Sequence, residues 1–339
     1  MNKSENNRDL TIDIIKILCT FWIVGFWHLS SYGNVFSSHI LLGSEITASV
    51  MGIFMFFSGY FLSKYQTENL KDVFSFYKKR LSRFYILYLL SIVSLYIRGL
   101  FTIKPWFKNN LHILLSCFGL SSFYNPNVGT LWFMSMLMFF YVITPIINIK
   151  KNIYWKVFIG ITFLLLFITY DYYCANQLDN RFIYLYILYL LGLFIPHFFI
   201  DIIKKKWYCL IIGFLTFWNI ASNPYIDNQT INKTIYSIGF LLFTICLIEL
   251  SSLVYKKIVN VESLPIKIIT KLSFCSLAIY LFHRQIYQIL LIIFNKLHFN
   301  INIYILYFVF VPTAYITSYM IQHLYDIAYN KVFINNEKG

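Results

Sequence analysis

The sequence predicts an all-α, polytopic membrane protein with about ten transmembrane helices and both termini in the cytoplasm. Three observations lead there. Of 339 residues, 59% are hydrophobic and only 12% charged, whereas soluble domains carry roughly a quarter charged residues. Apolar runs close to the ~20 residues needed to cross a bilayer recur along the chain. With the N-terminus placed inside, 21 Lys and Arg fall on cytoplasmic segments and 6 on external ones, the asymmetry that sets orientation in membranes.

The runs lie at about 9–28, 41–62, 82–100, 130–148, 153–170, 182–200, 207–222, 234–251, 271–294 and 302–325. Together they make residues 1–339 one transmembrane domain with short loops. A further run, Leu111 to Tyr124, is too short to span and lies at the surface or re-enters. The N-terminal run is too long for the apolar core of a signal peptide and lacks an A-x-A-like cleavage site, so it is read as a retained first span.

The formal charge of +14 invites a nucleic-acid partner, but the basic residues cluster at inner helix ends and serve topology instead. The six cysteines stand singly, with no CxxC and no Cys/His cluster that could hold zinc or another metal. Neither a Walker A sequence nor GxGxxG is present, which excludes an ordinary ATPase or dinucleotide site.

Ionisable residues inside spans are costly and mark candidate functional groups. In the first run these are Asp13, Lys16 and His28. Asp13 and Lys16, one turn apart, can also simply pair. The second run closes Phe56-Phe57-Ser58-Gly59-Tyr60, where Gly59 permits close helix approach and Ser58 can bond backbone or a partner helix. Glu45 stands near its outer end. Arg80 and Arg83, spaced i, i+3 at the inner entry to the third run, present two guanidinium forks on one face and can grip phosphates. They can equally be topology signals. Trp132 opens the fourth run at an aromatic-belt position, and Pro145 ends or kinks that run near the inner face. Runs five to eight read as scaffold, Glu249 apart. The ninth carries Ser273, Ser276, Tyr280, His283 and Arg284 close to one helical face, and such a stripe belongs against a cavity or a partner helix. For Arg284, pairing with Glu249, Glu45 or Asp13 is the structural alternative.

In this order, these motifs resemble integral-membrane acyltransferase family 3, over nearly the whole chain. The resemblance rests on the Asp and the basic residue before His28, on Phe-Phe-Ser58-Gly59-Tyr60, on Arg80-x-x-Arg83, and on Ser276-x3-Tyr280-Leu-Phe-His283. It implies a ten-span enzyme of the inner (plasma) membrane that transfers an acyl group onto surface sugars. The donor it implies is acetyl-CoA or another acyl-CoA, a substrate and not a permanently bound cofactor. On that reading His28 is the catalytic base or acyl carrier, and Arg80 and Arg83 hold the donor's phosphates. Asp13, Lys16, Glu45, Ser58, Trp132, Tyr280, His283 and Arg284 support the site or contact the acceptor. The partners are acyl-CoA, a glycan or lipid-linked sugar, and membrane lipid, with no nucleic acid.

Two departures from the family pattern stand out. The family's basic residue precedes the His by eleven positions, whereas Lys16 precedes His28 by twelve, so Lys16 faces the imidazole only if the helix bulges. Leu137 occupies the place where the family's larger branch has a glutamate in the fourth span, and no carboxylate role is assigned there. A transporter or flippase for a lipid-linked saccharide is the alternative, although the matched pair of broken helices it would carry is missing.

Overall fold

The computed structural model describes residues 10–32, 43–100, 107, 109–123, 129–149, 152–174, 177–194, 231, 234–235, 237–239, 241–242 and 264–331. The expected span 207–222, most of 234–251, the end of 182–200, Glu249 and both chain ends (1–9 and 332–339) lie outside the described residues.

Among the described residues every regular element is helical. In chain order, α1 (Leu10–Phe21) continues as a π turn (Trp22–Trp27) and a 3-10 turn (Leu29–Tyr32). Then follow α2 (Gly43–Leu62), α3 (Leu70–Leu100), α4 (Asn110–Cys117), α5 (Leu131–Ile147), α6 (Ile153–Tyr173), α7 (Phe182–Phe194), α8 (Leu264–Phe274) and α9 (Ser276–Lys296). A helical turn (Ile303–Ile305) and a second π segment (Leu306–Phe310) lead into α10 (Val311–Tyr329). Four stretches are long and apolar enough to cross a membrane: Ile12–Tyr32, Ile153–Tyr173, Ser276–Lys296 and Ile303–Tyr329. Leu70–Ser82 and Phe84–Gly99, bent by 41°, make a fifth if they form one span. Ile46–Leu62, Leu131–Ile147 and Phe182–Phe194 are apolar but shorter. The described residues are thus all helical and hold four candidate membrane spans, or five with the bent pair.

The chain divides into two compact units, Met1–Gly43 with Phe243–Gly339, and Ser44–Leu242. In the first, α1 and its π turn pack on α8 and α9, and α9 packs on α10. Its core is built from Val24, Leu29, Ile279, Tyr287, Phe310 and Ala314, among others. The single helix expected over 271–294 is interrupted at Cys275, where α8 ends and α9 begins. There the Ser276 hydroxyl donates to the Ser273 carbonyl at 2.8 Å and the Cys275 thiol to Leu272 at 3.3 Å. Short side chains that bond back to nearby carbonyls compete in this way with the regular helix.

In the second unit α7 is the buried axis: Tyr184, Leu185, Tyr186, Leu188 and Tyr189 are all fully covered. It meets α2 backbone to backbone, since a Cβ on Gly59 would lie 2.2 Å from the Tyr189 carbonyl oxygen and one on Gly192 2.1 Å from that of Phe56. Close approach through small residues is how helices pack where no hydrophobic drive separates them from lipid. The helix expected from residue 82 instead begins at Leu70. Its start is a reciprocal cap: the Asp72 amide donates to Asn69 Oδ1 at 3.0 Å, and the Glu68 and Asn69 amides donate to Asp72 Oδ2 at 3.0 and 3.1 Å. The following Lys78, Lys79 and Arg80 are good helix formers that carry no apolar signal. Within the short run at 111–124, α4 ends at Cys117, its eight residues rising only about 12 Å, and Ser121–Phe123 form a separate 3-10 turn. Asn109 caps α4 by accepting from the His112 amide at 2.9 Å, and the Tyr88 hydroxyl ties its end to α3 by donating to the Ser116 carbonyl at 2.6 Å.

Candidate active site

His28 is delivered by the π turn that ends α1. Its amide donates to the Ile23 carbonyl, five residues back, at 2.9 Å, the bonding pattern of a π-helix. Within the turn Gly25 leaves room for the Phe21 ring, which a Cβ there would meet at 3.0 Å. Far along the chain, α9 presents His283, which is completely buried. The two imidazoles meet at 2.7 Å, His28 Nδ1 to His283 Nε2. Their planes lie within 6° and their centroids 4.9 Å apart. That separation exceeds the nitrogen distance by about one ring width, so the rings meet edge to edge, along the lone-pair axis, and not face on.

Hydrogen-bond valence then assigns the protons. His283 Nδ1 lies 2.9 Å from both the Ile279 and the Tyr280 carbonyl oxygens, which only accept, so Nδ1 carries a hydrogen. In the neutral ring Nε2 is therefore the acceptor, and His28 Nδ1 must be the donor between the rings. The far edge of His28, Nε2, keeps its lone pair. A fixed tautomer with a bare nitrogen is what a general base or nucleophile requires.

Other groups of this unit surround the pair. The Tyr287 ring stands edge-on to His283 at 5.8 Å, and its hydroxyl donates to the Val24 carbonyl at 3.2 Å. Tyr280 contributes its carbonyl to His283 and its ring at 6.3 Å. Tyr32 donates to the Arg284 carbonyl at 3.4 Å. Arg284 is half-buried, and among the described residues its Nε has no hydrogen-bond partner. At the other end of α1, Asp13 is buried and accepts from the Ser273 hydroxyl at 2.6 Å. Lys16 is half-buried one turn above it. The structure thus brings together His28, Tyr280, His283 and Arg284 in one cluster, and anchors Asp13 separately. Tyr287 and the Ile279 carbonyl were not singled out by sequence reasoning; the only signal was the spacing of four between 279, 283 and 287.

The remaining predicted site residues lie on the second unit. Ser58 bonds back to the Phe54 carbonyl at 2.8 Å and contacts the Tyr141 hydroxyl, with Arg80 in electrostatic reach of Tyr141. Arg80 is exposed on α3. Arg83 and Glu45 sit on α3 and α2, and their side chains lie outside the described residues. Trp132 packs inside the unit. It is only 9% exposed, and the Arg181 guanidinium lies over its ring at 3.6 Å, a cation–π contact. Arg181 is in turn held by Asp179 through Nε and Nη2 at 2.8 and 2.7 Å.

A family model described as an acyltransferase domain matches residues 9–322, nearly the whole chain. Neither a curated protein nor a solved structure matches it.

Proposed function

The chain belongs to acyltransferase family 3 and is a membrane acyltransferase; from that premise we propose that it is an O-acyltransferase of the plasma membrane. The donor is cytoplasmic acyl-CoA, acetyl-CoA in the simplest case, and the acceptor is a hydroxyl of a cell-surface or lipid-linked sugar. The observation that carries this reading is the His28–His283 pair, which leaves His28 Nε2 free to take a proton.

In this chemistry Nε2 removes the acceptor's hydroxyl proton as its oxygen attacks the thioester carbonyl. The C–O bond forms, the C–S bond breaks, and the proton leaves with the departing thiolate as free CoA. While Nε2 holds that proton, the hydrogen on His28 Nδ1 can pass to His283 Nε2. The positive charge then rests on a ring already bonded to two carbonyl dipoles, which accommodate it without reorganisation. Arg80 and Arg83, one turn apart, take the phosphates of the donor nucleotide. Arg284, with its unpartnered Nε, is the group suited to an acceptor oxygen or the developing oxyanion.

The test is transfer of label from radioactive acetyl-CoA to a glycan acceptor by purified protein in bilayers. Acid-stable label on the glycan supports the proposal; no transfer with any acyl-CoA and a panel of sugars defeats it. Two variants probe its parts. His283→Gln keeps an acceptor oxygen facing His28 Nδ1 but cannot take its proton, so turnover should fall about tenfold; His283→Ala, which also releases the tautomer, should fall by about 10²- to 10³-fold. Equal losses in the two would remove His283 from the tautomer argument. Arg80→Ala combined with Arg83→Ala should raise KM for acyl-CoA by roughly 10- to 100-fold with kcat little changed. Reduced membrane abundance with an unchanged KM would make the arginines topology signals.

A further inference from the structure

The first span carries one residue more than an unbroken α-helix would place between Lys16 and His28. The two stand twelve positions apart, which at 3.6 residues per turn sets them about 120° apart around the axis. The π turn absorbs one residue, leaving the rotation of eleven α-helical steps, about 20°. The bond responsible is explicit. In an α-helix the His28 amide would serve the Val24 carbonyl; here it serves Ile23, at 2.9 Å. The carbonyl so released is the one that the Tyr287 hydroxyl takes, at 3.2 Å. Tyr287 is fully buried and packs on Phe310 at 5.9 Å. Phe310 belongs to the second π segment, whose Tyr307 meets Phe26 of the first at 5.9 Å. The turn is therefore gripped on its carbonyl edge and on its aromatic face.

We propose that the π turn Trp22–Trp27, latched by the Tyr287 hydroxyl on the Val24 carbonyl, is a one-residue phase correction. It sets Lys16 and His28 on one face of the first span and makes Tyr287 a positioning residue for acyl transfer. The catalytic half of this statement rests on the acyltransferase function proposed above; the geometric half does not. Two contacts report the phases separately: Asp13 with Ser273 below the turn and His28 with His283 above it.

The test compares the full chain with two variants of it, one lacking Trp22 and one with an alanine inserted after Trp22. Deleting Trp22 leaves everything up to Phe21 in the lower phase and everything from Ile23 in the upper one, now joined by plain α-helix. Cysteine pairs at 13/273 and 28/283, in chains whose native cysteines are alanine, are bridged by a short bis-methanethiosulfonate reagent in membranes. Both pairs should bridge in the full-length and deleted chains, and the inserted chain should lose the 28/283 bridge alone. In chains that keep their histidines, turnover should stay within about threefold on deletion and fall about 100-fold on insertion, the cost of misplacing a catalytic group by about an ångström. Tyr287→Phe should lower kcat about tenfold, with KM for the donor unchanged. In the deleted chain it should change kcat less than twofold, because a backbone amide there reclaims the Val24 carbonyl. Loss of the 28/283 bridge on deletion, or an equal effect of Tyr287→Phe in both chains, overturns the inference. If the bridging pattern holds while no chain transfers acyl groups, the phase correction stands and the acyl-CoA reading falls.

Discussion

Replacing His28 with asparagine is expected to stop acyl transfer while leaving the protein folded in the membrane. The choice of asparagine follows from the proton assignment. Its amide nitrogen lies near the place of Nδ1 and can still donate to His283 Nε2, so the link between α1 and α9 survives. Nothing replaces the lone pair at Nε2. Loss of a positioned general base costs about 10²- to 10⁴-fold, and turnover should fall by roughly 10³. His28→Ala should fall as far and also lose abundance, because it leaves a buried acceptor on His283 unpaired at a cost of about 1–3 kcal/mol. Turnover and detergent size-exclusion profiles measured side by side separate the two effects. Turnover near the parent level in the asparagine variant would mean that Nε2 is not the base. The chemistry would then have to move to another group.

The sequence made much of this legible, and the places where it did not share a cause. His28 and His283 both stood out as imidazoles in apolar runs, but 255 positions separate them and no local pattern announces their contact. A helix stripe says that a face must be covered, not by what. The extra residue between Lys16 and His28 was visible as a count, and it demanded a bulge; where that bulge sits depends on a tyrosine contributed by a distant helix. The start of α3 was missed because hydropathy sees only the apolar part of a helix, whereas Asn69, Asp72 and the lysines stabilise its polar turns through capping and propensity. In sequence Arg181 is only one of the six basic residues on the external segments. Its place over Trp132 depends on an Asp two residues earlier that folds it back. Scaffold helices looked alike in sequence, yet α7 is the buried axis of its unit, and the signal was Gly192, passed over among many apolar neighbours.

Gly192 and Gly59 lead to the second large expected effect. A Cβ at either position would stand 2.1 or 2.2 Å from a main-chain carbonyl oxygen of the facing helix, where carbon and oxygen normally stay about 3.3 Å or more apart. A flexible side chain could swing aside; a carbonyl inside a helix cannot. The two helices must therefore separate by about 1 Å, and because α7 is packed on all sides, that opening propagates into its contacts with Phe140 and Phe167. Overpacking of this kind costs about 1–3 kcal/mol, and more where backbone must move. Gly59→Ala and Gly192→Ala should each destabilise the protein by at least the upper part of that range, and Gly192→Val should fail to accumulate. The double alanine variant should cost little more than the worse single one, since one separation relieves both clashes and neighbouring sites are not additive. Denaturant-induced unfolding of purified protein in mild detergent measures the three alanine variants, and membrane abundance reports on Gly192→Val. Single alanine variants within about 0.5 kcal/mol of the parent would show that α2 and α7 do not touch backbone to backbone, and the Phe-Phe-Ser-Gly-Tyr sequence would then need an explanation other than helix packing.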